Sequence, residues 1–516
     1  MITLAIGVVF LVSLYLYFTR TFKYWKQRGV KHDRPWPVFG TNARNFLFQI
    51  NLIDITTDAY LRYPNERVVG FYRSSRPELI IRDPIIAKRI LADDFLYFHE
   101  RGFNFSKNYT EPMFRNLFIA DGDLWKLLRQ RLTPAFSSGK LKAMFPLIVE
   151  RAERLKELVQ DMAKVGEAID KPIDARDLMA RYTTDVIGAC AFGIDTESLA
   201  DENSSYRKLG VKIFSFDLIR CILVLIKVLM PEITRYLHLF GDVEQDVIDI
   251  VTSILKKRNY EPSNRHDFID LLIECKKQGV ISGKSIEKIE SDGSPARVSI
   301  EMDEVLMAAQ VFVFFAGGFE TSSSATSYAL HQLAFHPRVL NKVQKEVDKV
   351  LAAHHNKLSY DALSEMTYLK WCLQEALRMF PSVGFLQRKC ARTYKFLDLN
   401  MSIDPGVIVA IPLQAYHNDP SVFPNPDEFR PERFDPAEFT AQQKLYYLPF
   451  GDGPRACVGK RLGLMQSMAG LAAVLAQYSV RPAPGAPRHP KTFKVSSVVQ
   501  IIKGGLPLIF EERMTR

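Results

Sequence analysis

Apolar positions along this chain change their period several times, and each change marks an element. Residues 2–19 are apolar without one charged side chain, and Arg20, Lys23, Lys26, Arg28, Lys31 and Arg34 follow at once. A helix over that run, at about 1.5 Å per residue, reaches roughly the thickness of a bilayer core, so the pattern predicts a membrane-spanning helix. No basic stretch precedes it and no small-residue cleavage site follows, which favours a retained anchor over a removed signal peptide. Pro35-Trp36-Pro37-Val38-Phe39-Gly40 then reads as a stiff linker. Residues 67–82 alternate as a strand does, and the spacing from 124 to 276 is mostly helical. Residues 278–297, polar with glycines and serines, read as a flexible surface loop. Helical period resumes near Ile300 and continues to about Phe335. Strand character returns over 383–413, residues 416–449 are proline-rich and irregular, and a last apolar helix begins near Lys460.

Composition adds bounds. The chain has 516 residues, 47% hydrophobic and 24% charged, which supplies ample apolar mass for a large core. Its six cysteines show neither paired nor metal-finger spacing, so no disulfide framework is expected and a reducing compartment fits. The formal charge of +10 comes with no nucleic-acid motif, and nucleic acid is not expected as a partner. An anionic membrane surface and an acidic protein partner explain the excess better. Positive residues on the C-terminal side of the apolar run place the body of the protein in the cytosol.

The chemistry concentrates in Phe450-Gly451-Asp452-Gly453-Pro454-Arg455-Ala456-Cys457-Val458-Gly459. One cysteine stands in a turn of glycines and proline just ahead of a helix, where the helix dipole and unpaired N–H groups favour an anionic sulfur. Glycine lets the main chain approach a flat cofactor closely, and Arg455 suits a carboxylate. Most lone cysteines beside a helix are inert, but this company of residues is unusual. The segment resembles the haem-binding loop of cytochromes P450, F-x-x-G-x-R-x-C-x-G, without departure.

That resemblance covers nearly everything after Pro35. It implies a mainly α fold with a smaller β-rich lobe, preceded by one N-terminal transmembrane helix: anchor 1–20, basic and proline-containing linker 21–40, catalytic domain 41–516. It implies haem b (iron protoporphyrin IX) as cofactor, with Cys457 as metal ligand and Phe450, Arg455 and Gly459 in its loop. Trp125 and Arg129, one helical turn apart, are donors suited to a haem propionate; Arg388, ten residues after Arg378, and Arg101 stand where relatives carry others. Ala316-Gly317-Gly318-Phe319-Glu320-Thr321-Ser322 is similar to the family's oxygen-activation segment, with a helix weakened into a bulge and Glu320 and Thr321 as a catalytic proton relay. Glu375-Ala376-Leu377-Arg378 and Pro431-Glu432-Arg433-Phe434 match the family's E-x-x-R and P-E-R-F, a buried ion network needed for haem retention.

By the same resemblance, residues 103–118, 311–315, 383–387 and 498–499 line the substrate pocket. Residues 211–240 form a channel lid on the membrane surface, ordinary core helix being the rival reading. Lys126, Arg131, Lys140, Lys142, Lys444 and Lys460 face an acidic NADPH-cytochrome P450 reductase, with cytochrome b5 as a further partner. The expected activity is a monooxygenase of the endoplasmic reticulum membrane acting on lipophilic small molecules, closest in appearance to insect xenobiotic-metabolising enzymes. A biosynthetic hydroxylase or epoxidase with one endogenous substrate is the alternative, and a non-catalytic haem protein that sequesters hydrophobes is a third reading.

Overall fold

The structure is a computed structural model; it describes the chain apart from residues 1, 105, 107, 108, 170, 171, 216, 217, 231, 235, 264, 266, 493–498, 515 and 516. Helices dominate, and the described residues form four small sheets beside them. Among the described residues two helices are long and apolar enough to span a bilayer, and burial separates them. The window of Ile2–Thr19 is 6% buried, whereas that of Glu304–Phe335 is 61% buried. The first is a candidate membrane anchor; the second is the central beam of the core, apolar on all sides because it is packed on nearly all sides.

Asp303 caps that central helix by accepting from the Leu306 N–H, which satisfies one of the orphan donors of its first turn. Helix Ala175–Ile187 lies along its middle, and the cysteine helix Lys460–Gln477 crosses close by. Tyr182 ties helix Ala175–Ile187 to the cysteine helix, donating its hydroxyl to the Gln466 carbonyl from a fully buried position.

The main sheet runs Val68–Arg73, Arg76–Ile81, Ile408–Ile411, Leu386–Lys389, with the middle pair parallel and the outer pairs antiparallel. Its packing reaches back to Trp25, which is fully buried and donates Nε1–H to the Phe71 carbonyl. The edge strand carries Arg388, and a bridge between Glu100 and Lys389 sets Arg101 beside it. The sheet thus delivers two of the expected arginines to one place.

Residues 278–297 are not a flexible loop. Val280–Ile289 and Pro295–Glu301 pair as an antiparallel hairpin, so the central helix starts at Glu304 and not near Ile300. Alternation hidden among polar residues explains the error: Ile281, Gly283, Ser285 and Ile286 of the first strand turn inward, Gly283 against Leu127 of helix Gly122–Leu132, while Val298 and Ile300 of the second pack on the core and the exposed positions between them face water. Asp123 fastens the contact, accepting from the Ser285 hydroxyl and the Ile286 N–H.

One carboxylate organises the segment leading to Cys457. Glu375 accepts from Arg378 at 2.8 and 3.0 Å, from Arg433 at 3.2 Å and from the Arg430 N–H at 3.1 Å. Arg378 also donates to the carbonyls of His417 and Pro426, and Arg433 to that of Asn425. All three side chains are at most 1% exposed, so removing the carboxylate leaves two cations without water or countercharge. Glu375→Gln is expected to cost about 3–5 kcal/mol. Urea denaturation followed by far-ultraviolet dichroism checks this, and a loss within experimental error of zero contradicts it.

Candidate active site

Cys457 is held by a turn that its glycines make possible. Gly451 and Gly453 both adopt φ of +69°, and a Cβ on Gly453 would stand 1.9 Å from the Leu91 carbonyl oxygen. The Cys457 N–H donates to the Phe450 carbonyl at 2.8 Å, closing the turn ahead of helix Lys460–Gln477. The sulfur's residue has accessible surface, yet it lies deep in the protein, because that surface opens into an internal cavity of about 280 Å³. Burial pushes the Cys457 thiol up, against the pull of the Gly459 N–H and of Arg101, Arg129 and Lys460. The helix end alone does not hold a thiolate there; a metal cation, which deprotonates a coordinating thiol outright, would. Gly459 has an ordinary φ of −87° and room for a Cβ, whose nearest neighbour would be Phe136 at 3.9 Å. The protein's own packing therefore does not demand glycine, but Gly459 lines the cavity.

The other end of this cavity is strongly basic. Arg101, Arg129, Arg388 and Arg455 all line it, together with Trp125. Arg455 donates Nε to the His99 carbonyl at 2.6 Å and Nη2 to the Ala120 carbonyl at 2.8 Å, stacks 4.3 Å over the Trp125 ring, and meets Asp121 at 3.3 Å. Arg129 donates to the Ala456 carbonyl at 2.9 Å and Arg101 to that of Arg455 at 3.1 Å. Burial, followed by mutual repulsion, pushes Arg388 far down and Arg455 to about 9; burial alone accounts for most of the fall of Arg101 to about 10. Guanidinium does not give up its proton in proteins, so these shifts express an unmet demand for negative charge.

Three buried donors confirm that demand. Arg101 Nε, Arg388 Nε and Arg455 Nη1 have no hydrogen-bond partner, and neither does Trp125 Nε1 among the described residues. A flat apolar molecule with two carboxylates at one edge and a metal that takes a thiolate fits this cavity, and haem is such a molecule.

The central helix forms the facing wall. Thr321, Gly317 and Gly318 line the cavity. Nothing lies within 4 Å of a Cβ built on Gly317, whereas one on Gly318 would strike Ile187 at 2.2 Å. The first glycine leaves space and the second allows helix Ala175–Ile187 to approach. The expected bulge is absent: the helix is continuous α over Glu304–Phe335. Its carbonyls along this stretch instead carry second donors, Thr321 Oγ1 to Gly317 at 2.5 Å, Gln466 Nε2 to Gly318 at 3.1 Å, Thr183 Oγ1 to Phe319 at 3.1 Å and Ser382 Oγ to Thr321 at 3.0 Å. Carbonyl oxygens have two lone pairs, so these bonds support the glycine pair without breaking the helix.

Glu320 and Thr321 do not face the same space. Glu320 is buried behind the cavity wall, 3.0 Å from Arg176, and burial pushes its carboxyl up against the opposing pull of Arg176 and Arg207. Of the expected pocket positions, Leu117, Phe118, Val313, Phe314, Val383 and Leu386 reach the cavity. Phe312 and Phe315 instead pack outward on Phe240 and Phe192, as helical spacing requires once Val313 and Phe314 face inward. No described residue of the lid helices lines the cavity, Val499 pairs with Val383 at its edge, and Val498 lies outside the described residues. Gln466, Ser382, Thr183 and Asp121 were missed. Gln466 and Thr183 act through contacts more than 100 residues away along the chain, Ser382 through one 61 residues away and Asp121 through one 20 residues away, and none sits in a recognisable motif.

The mostly helical fold, the small sheets and a cavity with a cysteine at one place and arginines at another define the class of haem-thiolate proteins. The cytochrome P450 family pattern matches residues 32–508, and the chain belongs to that family. It is 38% identical to cytochrome P450 6a2 of Drosophila melanogaster over 90% of both chains. It is 36% identical to cytochrome P450 6B6 of Helicoverpa armigera over 93% of this chain and 92% of that one. With cytochrome P450 6k1 of Blattella germanica it shares 33% identity over 98% and 96% of the two chains. The protein is a P450 monooxygenase with a haem-iron cofactor, and it resembles insect xenobiotic-metabolising enzymes.

The uncompensated arginines generate a double expectation. Arg388→Leu removes a buried cation that repels Arg101 and Arg455, so the haem-free protein should be no less stable than wild type in urea. The same variant should release haem to apomyoglobin at least about tenfold faster, since a charged hydrogen bond is lost. Unchanged haem transfer contradicts the assignment.

Proposed function

We propose that this protein is an endoplasmic reticulum monooxygenase that clears lipophilic foreign compounds, with haem b in the cavity and electrons from NADPH through P450 reductase, assisted by cytochrome b5. Residues 1–20 anchor it, 21–40 link, and 41–516 form the catalytic domain facing the cytosol. The exposed apolar side chains of Ile219, Ile233 and Tyr236 support contact of the lid with membrane lipid. Lys142, Lys444 and Lys460 are exposed, and Lys460 lies over Phe450 of the Cys457 turn, which supports docking of an acidic reductase near that turn.

Haem bound here supplies the iron that activates dioxygen. Cys457 would hold the metal; Trp125 and Arg101, Arg129, Arg388 and Arg455 would hold the carboxylate edge, with Phe450 and Gly459 bordering the plane. Thr321 keeps a hydroxyl in the cavity wall, anchored to the Gly317 carbonyl, where it can pass a proton. Glu320, one residue away, has its carboxyl pushed up by burial against the pull of Arg176, which also keeps it out of the cavity, so its part in the relay is through the wall and not by direct contact with the cavity. The observation that carries the reading is one cavity lined at once by Cys457, the arginine cluster, Thr321 and apolar side chains. The substrate side is aromatic and aliphatic, with Phe118, Val313, Phe314, Val383 and Leu386, which supports broad recognition by shape and hydrophobicity over one polar match.

Reconstituted with reductase, NADPH and labelled dioxygen, the protein is expected to place one labelled oxygen atom in several unrelated compounds among pesticides, plant toxins, fatty acids and steroids. Incorporation into a single class would instead mark a biosynthetic enzyme. Thr321→Ala should keep haem while the product formed per NADPH falls at least about tenfold and peroxide rises. Unchanged yield per NADPH would remove Thr321 from the relay.

A further inference from the structure

Outside the haem cavity, the hairpin Val280–Ile289/Pro295–Glu301 brings a third residue to a pair that precedes Arg101. One ligand atom each from His99, Glu100 and Glu287 lie within 4.8 Å of one another. None of the three lines the cavity. His99 is only 2% exposed, its Nδ1 has no hydrogen-bond partner, and its Nε2 has none among the described residues. A buried imidazole without any partner is costly, and it is the kind of group whose presence calls for an explanation. The Glu287 carboxylate fills the space where a Cβ on Gly122 would sit, which is possible because Gly122 is a glycine with φ of +57°. It forms no ion pair there among the described residues, although Glu100, Asp121 and Asp123 surround it with like charge. Glu100 is paired with Lys389 through one oxygen, Oε2.

We propose that His99, Glu100 and Glu287 form a binding site for a divalent cation of the zinc type, which clips the hairpin to the wall of the haem cavity. One imidazole and two carboxylates are a donor set suited to zinc, with a fourth position left to water. His99 supplies a neutral ring, because burial and the nearby Arg455 push it down to about 4 and keep it unprotonated at physiological pH. A zinc ion with bonds of about 2.0–2.2 Å holds its ligand atoms up to about 4 Å apart, so the carboxylates must draw in by under about 1 Å. Glu287 can move that far, since it is exposed on the hairpin, and the Glu100 side chain can too, while the main chain at His99 and Glu100 is held by backbone bonds. The His99 carbonyl accepts from Arg455 at 2.6 Å, and the Lys389 N–H donates to the Glu100 carbonyl at 2.7 Å. The cation would also offset the crowding of Glu100, Asp121, Asp123 and Glu287 that pushes Glu287 up alongside burial. It would thereby tie an element found only by structure to the residues that position Arg101 and Arg455.

The test uses the full-length, haem-loaded protein, stripped with a chelator and dialysed against zinc. Zinc and iron are read together by plasma emission, so that haem content is known for each sample. One zinc per haem is expected, with binding at least about tenfold weaker in Glu287→Gln and in His99→Asn. Lys284→Gln, on the same strand but outside the cluster, should bind as wild type does. Only samples with the wild-type reduced carbonyl spectrum are compared, which separates loss of the site from loss of the fold. No zinc above chelator-washed background, equal uptake by wild type and both variants, or equal retention of magnesium would each overturn the proposal, the last by showing a diffuse acidic field.

Discussion

Burying positive charge without a countercharge is the constraint on which this structure turns. Arg101, Arg129, Arg388 and Arg455 converge beside Asp121, and three of their donors have no partner among the described residues. Such an arrangement is unfavourable for a polypeptide alone, because desolvated cations repel and unmet donors keep their desolvation penalty. It becomes favourable when a dianionic edge enters. Cys457 presents the same logic with opposite sign, a thiol pushed up by burial until a metal cation makes the thiolate the stable form. The two incomplete ends are complementary to one ligand, a flat molecule with a metal at its centre and carboxylates at its edge, which is what the proposed haem site requires.

The scaffold is arranged to keep that incompleteness in register. Glu375 fixes the irregular segment that delivers Cys457, and the edge strand Leu386–Lys389 fixes Arg388. The central helix stays continuous through its glycine pair, where Gln466, Ser382, Thr183 and Thr321 each supply a second donor to a helix carbonyl. Gln466 joins the two walls directly, since it belongs to the cysteine helix and bonds to the central one. Thr321 can therefore face the cavity at a defined height while Glu320, one residue earlier, is turned to Arg176 behind it.

Much of this was legible in the sequence wherever chemistry and local pattern coincide. The turn around Cys457 could be read because positive φ at Gly451 and Gly453, a helix start and a soft ligand all leave marks within ten residues. Trp125, Arg129, Arg101 and Arg388 were readable as a set only through family likeness, since solvated arginine is the ordinary reading of each. The hairpin at 280–301 was not legible. Its polar, glycine-containing strands show one wet face, and the inward positions that define it pack on a helix more than 150 residues earlier. The glycine pair misled in the opposite direction. Local weakness predicted a bulge, and tertiary hydrogen bonds from three other parts of the chain cancelled it.

The central claim is that Cys457 thiolate is the protein's ligand to haem iron. Carbon monoxide added to the dithionite-reduced, full-length protein tests it most directly. The account predicts the strongly red-shifted Soret band of a thiolate-ligated haem, and its loss in Cys457→His with haem still present. An unshifted band in the wild-type protein, or a red-shifted band that survives Cys457→His, would contradict it.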